Sequence, residues 1–175
     1  MHYKYCPTCG SKLTLKEAGD DGGVPYCEHC AKYWFDGFST CVIILVANEL
    51  QEIAMLRQNY LSTQYYSYVS GFIQPGENAE STAMREVKEE LGIDLDSLDF
   101  AGTYYFPKRD QLMIGFIGLC KKQPLRLSSE VNNAKWIPAN EAESLMFPDS
   151  PGNAMHPIFR KYLGMIIKKT TDSRM

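Results

Sequence analysis

Three glutamates, Glu86, Glu89 and Glu90, fall within five residues of the segment GFIQPGENAESTAMREVKEELGI, which runs from Gly71 to Ile93. On a helix they occupy i, i+3 and i+4 and share one face, with Cβ atoms about 5–6 Å apart. Like charges at that spacing repel. Lys88 lies off the face, so Arg85 is the one local cation that can compensate, by pairing with Glu89 at i+4 or reaching back to Glu77. Ala83, Val87 and Leu91 recur at i, i+4 and i+8 and mark a buried face beside the acidic one. Carboxylates crowded against a docked face are costly unless cations fill the site. Hard oxygen ligands suit Mg2+ or Mn2+, and magnesium shares its coordination with substrate phosphates. Charge pattern alone also fits a solvated helix face, so the spacing of the whole segment must decide.

A second constellation lies upstream. Cys6, Cys9, Cys27 and Cys30 form two Cys-x-x-Cys pairs separated by seventeen residues. This spacing is that of a closed four-thiolate zinc site, structural rather than catalytic. His2 and His29 stand near the pairs as substitute ligands, but four cysteines suffice. A redox-active pair is the rival reading, and a single pair would serve it.

Those residues need elements to hold them. Residues 1–35 are turn-rich, with a loop at Glu17–Pro25, and cannot bury enough surface to fold unaided. Zinc would supply the missing folding free energy. From about Phe38 the texture changes. TCVIILVA and EIAMLRQ read as strands, QYYSYVSGFI alternates aromatic and polar residues into a loop, and a helix is expected from Ala79 to Leu91, stopped by Gly92. Asn78 and Glu80 stand near its start. LDFAGTYYF, LMIGFIGLC and AKWIP follow as strands, NEAESLM as a short helix, and NAMHPIFRKYLGMIIKK as a closing helix that His156-Pro157 kinks or delays. Intermixed strands and helices make the body α/β or α+β.

Composition sets the outer limits. The chain has 175 residues, 45% of them hydrophobic, and a net charge of −3, which gives no bulk attraction to nucleic acid. Its longest apolar run, Cys41–Ala47, is far short of the roughly 20 residues that cross a bilayer. A cytoplasmic protein with no membrane partner is expected.

The segment from Gly71 matches Gly-x5-Glu-x7-Arg-Glu-U-x-Glu-Glu-x-Gly-U, with U a bulky aliphatic, at Gly71, Glu77, Arg85, Glu86, Val87, Glu89, Glu90, Gly92 and Ile93. It resembles the signature of the Nudix hydrolases. The resemblance implies an α/β fold, an α/β/α sandwich with a mixed sheet over residues 36–175, preceded by the four-cysteine ribbon over 1–35. It implies hydrolysis of a nucleoside diphosphate linked to another moiety, using Mg2+ or Mn2+. Glu86, Glu89 and Glu90 would hold metal and supply the base, the Gly71 carbonyl would ligate metal, and Arg85 and Glu77 would form a bracing ion pair.

A ribbon directly ahead of such a domain is similar to the NADH pyrophosphatase group. That likeness implies cleavage of NAD(H), action on NAD-capped RNA ends as the one nucleic-acid partner, and a homodimer. ADP-ribose or another nucleotide pyrophosphate is the alternative substrate, and a nucleotide-sensing or nucleic-acid-binding module without turnover the alternative class. The chain departs from the group in three places. Its ribbon begins almost at the first residue, where the group carries a further domain. GTYYFPKRDQLMIGF replaces the Ser-Gln-Pro-Trp-Pro-Phe-Pro motif, and Gln74 stands where an acid is frequent. Glu130 matches a further metal-binding glutamate by its position before Trp136, with an exposed loop residue as the other reading. Phe72, Tyr104, Tyr105 and Phe106 are candidates to stack on a base. Arg57 and Arg109 are candidates for phosphate, and His156 reads as a cap or surface residue.

Overall fold

The computed structural model describes residues 3–172. His2 therefore lies outside the described residues. The chain forms two compact units, Met1–Ser39 and Thr40–Met175.

In the first unit three short strands, β1 (Thr14–Glu17), β2 (Gly23–Cys27) and β3 (Lys32–Tyr33), form an antiparallel sheet in the order β1-β2-β3. The stretch expected to be loop is thus partly hairpin. Leu15 pairs with Pro25 and Glu17 with Gly23, leaving a 3-10 turn at Gly19–Asp21 as the connection. Pro25 lacks an N–H, but its carbonyl accepts from Trp34 N at 2.8 Å.

The second unit is a sandwich around one six-stranded sheet. Its strands are β4 (Ser39–Asn48), β5 (Glu52–Arg57), β6 (Val69–Phe72), β7 (Ser97–Phe106), β8 (Gln111–Cys120) and β9 (Asn133–Pro138), ordered β7-β8-β4-β5-β9 with β6 also paired to β4. The sheet is mixed. β5, β6 and β9 pair antiparallel, whereas Cys41 meets the Leu112 carbonyl and Cys120 meets the Ala47 carbonyl, so β4 and β8 run the same way. Strand alternation divides the core into two layers. Val42, Ile44 and Val46 face α1 (Ala79–Leu91), packing with Ala83, Val87 and Leu91. Ile43, Leu45 and Ala47 face the other way, onto α3 (Met155–Asp172), through Met155, Ile158, Phe159 and Tyr162.

Two irregularities shape the site. One edge of β4 is shared: β5 pairs with it at Val46–Ala47, and β6 takes over at Cys41–Ile44. The strands splay there, and Gly71 sits opposite Val42. Of the aromatic-polar alternation, only Val69–Phe72 becomes strand. Upstream, Ser67 bridges Leu56 and Tyr66 bridges Met146. The short helix is α2 (Ala139–Ala142), continued by a 3-10 turn at Glu143–Leu145. Pro157 neither breaks nor delays α3. It is the third helical residue, in the first turn, where a missing N–H costs nothing.

Candidate active site

The loop before α1 is built to hold one arginine. Asn78 caps the helix: its side chain accepts from Ser81 N at 2.8 Å while its own N–H donates to Ser81 Oγ at 3.2 Å. Gly92 ends the helix in the left-handed conformation, φ 70°. Glu77, one residue before the cap, accepts from Arg85 Nε at 2.6 Å and Nη2 at 2.9 Å. It also accepts from Thr82 Oγ1 at 2.8 Å and Gln74 N at 3.1 Å. Arg85 further donates to Glu86 at 2.8 Å, Glu89 at 3.0 Å and the Phe72 carbonyl at 3.3 Å. Both partners expected for Arg85 are therefore engaged at once, and the guanidinium ties β6, the loop and α1 together.

The Arg85 guanidinium holds the Glu77 carboxyl down at about 2, with the Gln74 N–H adding to the effect. A depressed acid contributes stability that is present above its ordinary value near 4.5 and is lost as pH falls through the folded value. Thermal midpoints of the wild type and Glu77→Gln should therefore differ most near neutral pH. The gap should close between pH 4.5 and 2, and a gap constant down to pH 2 would refute the brace.

On the adjoining face, Glu86 and Glu90 line a cleft with Gly71 and Glu130. Glu90 is buried, only 5% exposed. Its Oε1 accepts from Gln58 Nε2 at 3.0 Å, whereas its Oε2 is buried with no partner. Burial pushes its carboxyl up to about 8, reinforced by Glu86, Glu130 and Glu89 and opposed by Gln58. Burial also raises Glu86, against the pull of Arg85. A buried carboxylate oxygen without a donor, among acids that raise one another, is chemistry that suits a hard divalent cation, although among the described residues the only side chains already gathered closely enough to hold a metal are the four cysteines. Glu89 differs: it is 57% exposed, does not line the cleft and rests on Arg85.

Gly71 is dictated by Glu86. A Cβ at Gly71 would lie 1.9 Å from Glu86 Cδ and 2.0 Å from Oε1. The helix carboxylate lies directly over the strand backbone, and only glycine leaves room for it.

The cleft has a volume of about 770 Å3, within the range of small-molecule sites. Phe72 and Phe106 line it; Tyr104 and Tyr105 do not. Tyr104 turns into the α3 layer, its hydroxyl donating to the Ala101 carbonyl at 3.1 Å. Tyr105 lies on the opposite, outer side of β7 and bonds Asp110. Arg109 lines the cleft, but Arg57 is used elsewhere, donating to the Thr63 carbonyl at 3.0 Å. His156 is buried rather than at the surface, with Nε2 2.8 Å from the Phe147 carbonyl. Sequence reasoning missed Gln58, Tyr60, Lys108 and Phe147. Gln58 had one signal, a polar residue directly after an apolar strand, and is 3% exposed.

In the first unit the sulfurs of Cys6, Cys9, Cys27 and Cys30 all lie within 4.8 Å of one another, with Cys9–Cys27 at 3.5 Å and Cys6–Cys30 at 3.9 Å. A tetrahedral ion with metal–sulfur bonds of about 2.3 Å needs sulfurs about 3.8 Å apart, so the cluster fits one. Cys30 N donates to Cys27 Sγ at 3.3 Å, as a tight knuckle requires. The Ser11 hydroxyl and N–H lower the Cys9 thiol to about 6. Its neighbour Cys9, with burial, drives Cys30 up to about 12. Thiolates this close together repel one another, and a divalent cation would offset that repulsion.

A family model described as the NUDIX domain matches residues 37–156, more than half of the chain. The chain belongs to the Nudix family. Among Nudix relatives, the NAD-capped RNA hydrolase NudC of Pseudomonas aeruginosa is 28% identical over 137 residues, which are 78% of this chain and 48% of that protein. The chain spans about half the length of the curated relatives it matches. A Nudix hydrolase from Nitrosomonas europaea superposes with a TM-score of 0.63 at 16% identity, over 90% of this chain and 89% of that one. The Nudix domain of Shewanella oneidensis NrtR, solved with ADP ribose, gives 0.63 at 14% identity over 80% and 94%. The mixed sheet, the two helical layers and the clustered cysteines are those expected of a Nudix fold carrying a ribbon. Among the described residues no helix is long and apolar enough to cross a membrane.

Proposed function

We propose that this chain hydrolyses the pyrophosphate bond of a nucleoside diphosphate linked to another moiety, in particular a dinucleotide such as NAD(H), free or at a capped RNA end. The observation that carries the reading is the unpartnered Glu90 Oε2, set beside Glu86, Glu130 and Gly71 in one cleft. The likeness to NAD-capped RNA hydrolases supports the NAD-type substrate.

Glu86, Glu90 and Glu130, with the Gly71 carbonyl and the exposed Glu89, would hold Mg2+ or Mn2+. When bound, such cations neutralise a pyrophosphate and make water acidic enough to lose a proton near neutral pH. The chain's own groups do the rest. Gln58 fixes Glu90 through Oε1 and leaves Oε2 for the site. Arg85 holds Glu86 over Gly71, and Glu77 holds Arg85. A cleft carboxylate accepts the proton of the attacking water. Phe72 and Phe106 offer faces to a base. The four-cysteine cluster would hold zinc as a structural ion. A cytoplasmic homodimer completes the reading and rests on the family resemblance.

Incubation with Mg2+ or Mn2+ and NADH, ADP-ribose, diadenosine polyphosphates and nucleoside triphosphates tests the proposal. Turnover fastest on a dinucleotide is expected. Tight nucleotide binding with no turnover on any of them would instead make the protein a sensor.

Gly71→Ala should keep the fold, because the clashing carboxylate is the free end of a flexible side chain. It should nevertheless swing Glu86 out of place, and displacements of about 1 Å cost on the order of 10²-fold in turnover. Wild-type kcat/KM with an unchanged circular dichroism spectrum would sink the assignment of Glu86.

A further inference from the structure

The carboxylate wall does not account for the cations in the same cleft. Lys108 and Arg109 both line it, on the 3-10 turn Pro107–Arg109 between β7 and β8. Neither has an ion pair or side-chain hydrogen bond among the described residues. The one acid of that turn, Asp110, is engaged by the Tyr105 hydroxyl. The turn is also firmly seated. Gly152 approaches it so closely that a Cβ there would come within 2.9 Å of Pro107 Cδ and 3.1 Å of the Tyr105 carbonyl. Arg109 and the carboxylate wall act on one neighbourhood, since Arg109, Glu90 and Glu130 all bear on the Tyr60 hydroxyl. Divalent cations, were they held by the glutamates as proposed, would suffice to neutralise the scissile pyrophosphate. Lys108 and Arg109 are exposed, and two further cations without a protein partner on one turn of the cleft suit a further anion, guanidinium geometry favouring phosphate.

We propose that Lys108 and Arg109 form a subsite for a phosphate beyond the scissile pyrophosphate, so that the favoured substrate is a dinucleotide bearing an additional phosphate. That phosphate is a ribose phosphomonoester on a free dinucleotide or the first linkage of an RNA chain attached to it. The two present the same oxygen-rich anion to the subsite. The proposal rests on the pyrophosphohydrolase reading above and adds the substrate class to it. Ser150 lines the same cleft and adds a hydroxyl donor.

The test compares kcat/KM of wild type, Lys108→Ala, Arg109→Ala and the double variant on NADH, NADPH and a short NAD-capped RNA, at fixed Mg2+ and ionic strength. Wild type should favour a phosphate-bearing substrate over NADH. The double variant should lose about tenfold of that preference, chiefly in KM, as expected when charge-assisted hydrogen bonds are removed. Loss confined to NADPH assigns the ribose phosphate, and loss confined to the capped RNA assigns the chain linkage. An equal loss on all three substrates, or an unchanged preference, overturns the subsite while leaving the hydrolase reading intact. Should wild type cleave none of the three, the hydrolase reading fails. Binding of adenosine 2′,5′- and 3′,5′-bisphosphate relative to AMP then decides the subsite alone. A tighter bisphosphate whose advantage vanishes in the double variant supports it, and equal affinities overturn it.

Discussion

Glu90→Gln is expected to lower turnover on the order of 10³-fold, above the 10–100-fold that loss of an outer partner of a metal site costs. The same variant should be more stable than the wild type once divalent ions are removed. Both effects come from one carboxyl group. Glu90 is buried on α1, the helix that buries Val87 and Leu91, and among the described residues its carboxylate is bonded only by Gln58. Without a cation its ionised form is poorly solvated, so its pKa rises to about 8 from 4.5. An acid held above its unfolded value adds stability below about pH 4.5, and that stability fades as pH climbs through about 8. In divalent-free buffer the wild type should therefore weaken between pH 5 and 9, by on the order of a few kcal/mol. Glutamine is isosteric, stays neutral and should show no such decline. Near pH 5 the two proteins should converge, since both then carry an uncharged group. Adding Mg2+ at pH 8.5 should raise the melting temperature of the wild type and leave the variant almost unmoved, by mass action on the folded state. Parallel melting curves for the two proteins across pH, with and without Mg2+, would remove Glu90 from the proposed metal site.

The helix that carries this group was legible because its signals are local. The i, i+4, i+8 apolar stripe and Gly92 act within ten residues, Ala83 to Gly92, and α1 runs over the expected span; the cap, open between Asn78 and Glu80 in the sequence, is Asn78. The Glu77–Arg85 pair was legible for the same reason, eight residues apart across one turn of loop. Gln58 was not. It reaches Glu90 on α1 across 32 residues, from the residue just after β5, and no local pattern encodes that meeting. The aromatic run Tyr104-Tyr105-Phe106 shows a second limit. Consecutive strand residues alternate faces, so three adjacent rings cannot all line one cleft. Tyr105 goes outward, and Tyr104 shares a face with Phe106 but lies deeper, against the α3 layer. Strand type was readable, whereas the place where the cleft begins along the strand depends on the splay at β4. The loop at Glu17–Pro25 erred in the other direction. Its Gly and Asp content hid a hairpin whose partner strand, β1, is exposed throughout and offers no apolar alternation to detect.

Removal of the zinc proposed for the four-cysteine cluster should unfold residues 3–39 of the first unit. Among the described residues of that unit only Cys6, Val24, Tyr26 and Cys27 are buried, and two of these four are cluster cysteines. Val24 and Tyr26 cannot supply a core, and the aromatic contact of Tyr26 with Tyr33, 4.8 Å between ring centres, adds about 0.5–1.5 kcal/mol at most. A structural zinc contributes about 10–16 kcal/mol of apparent binding free energy at neutral pH, which becomes folding free energy in a unit this small. A strong chelator should therefore release one zinc per chain and expose Lys12, Lys16 and Lys32 to trypsin. Trp34 fluorescence should shift as Lys32, now 4.4 Å above its ring, comes away. Cys27→Ser should reproduce the state without a chelator, because it removes a fully buried ligand that also accepts the Cys30 N–H. The rival redox reading makes the opposite forecast. It requires zinc-free protein with two thiols fewer after mild oxidation, and trypsin resistance that survives chelation. Cys41 and Cys120 give an internal control in either case, since burial raises both thiols to about 11 and keeps them inert.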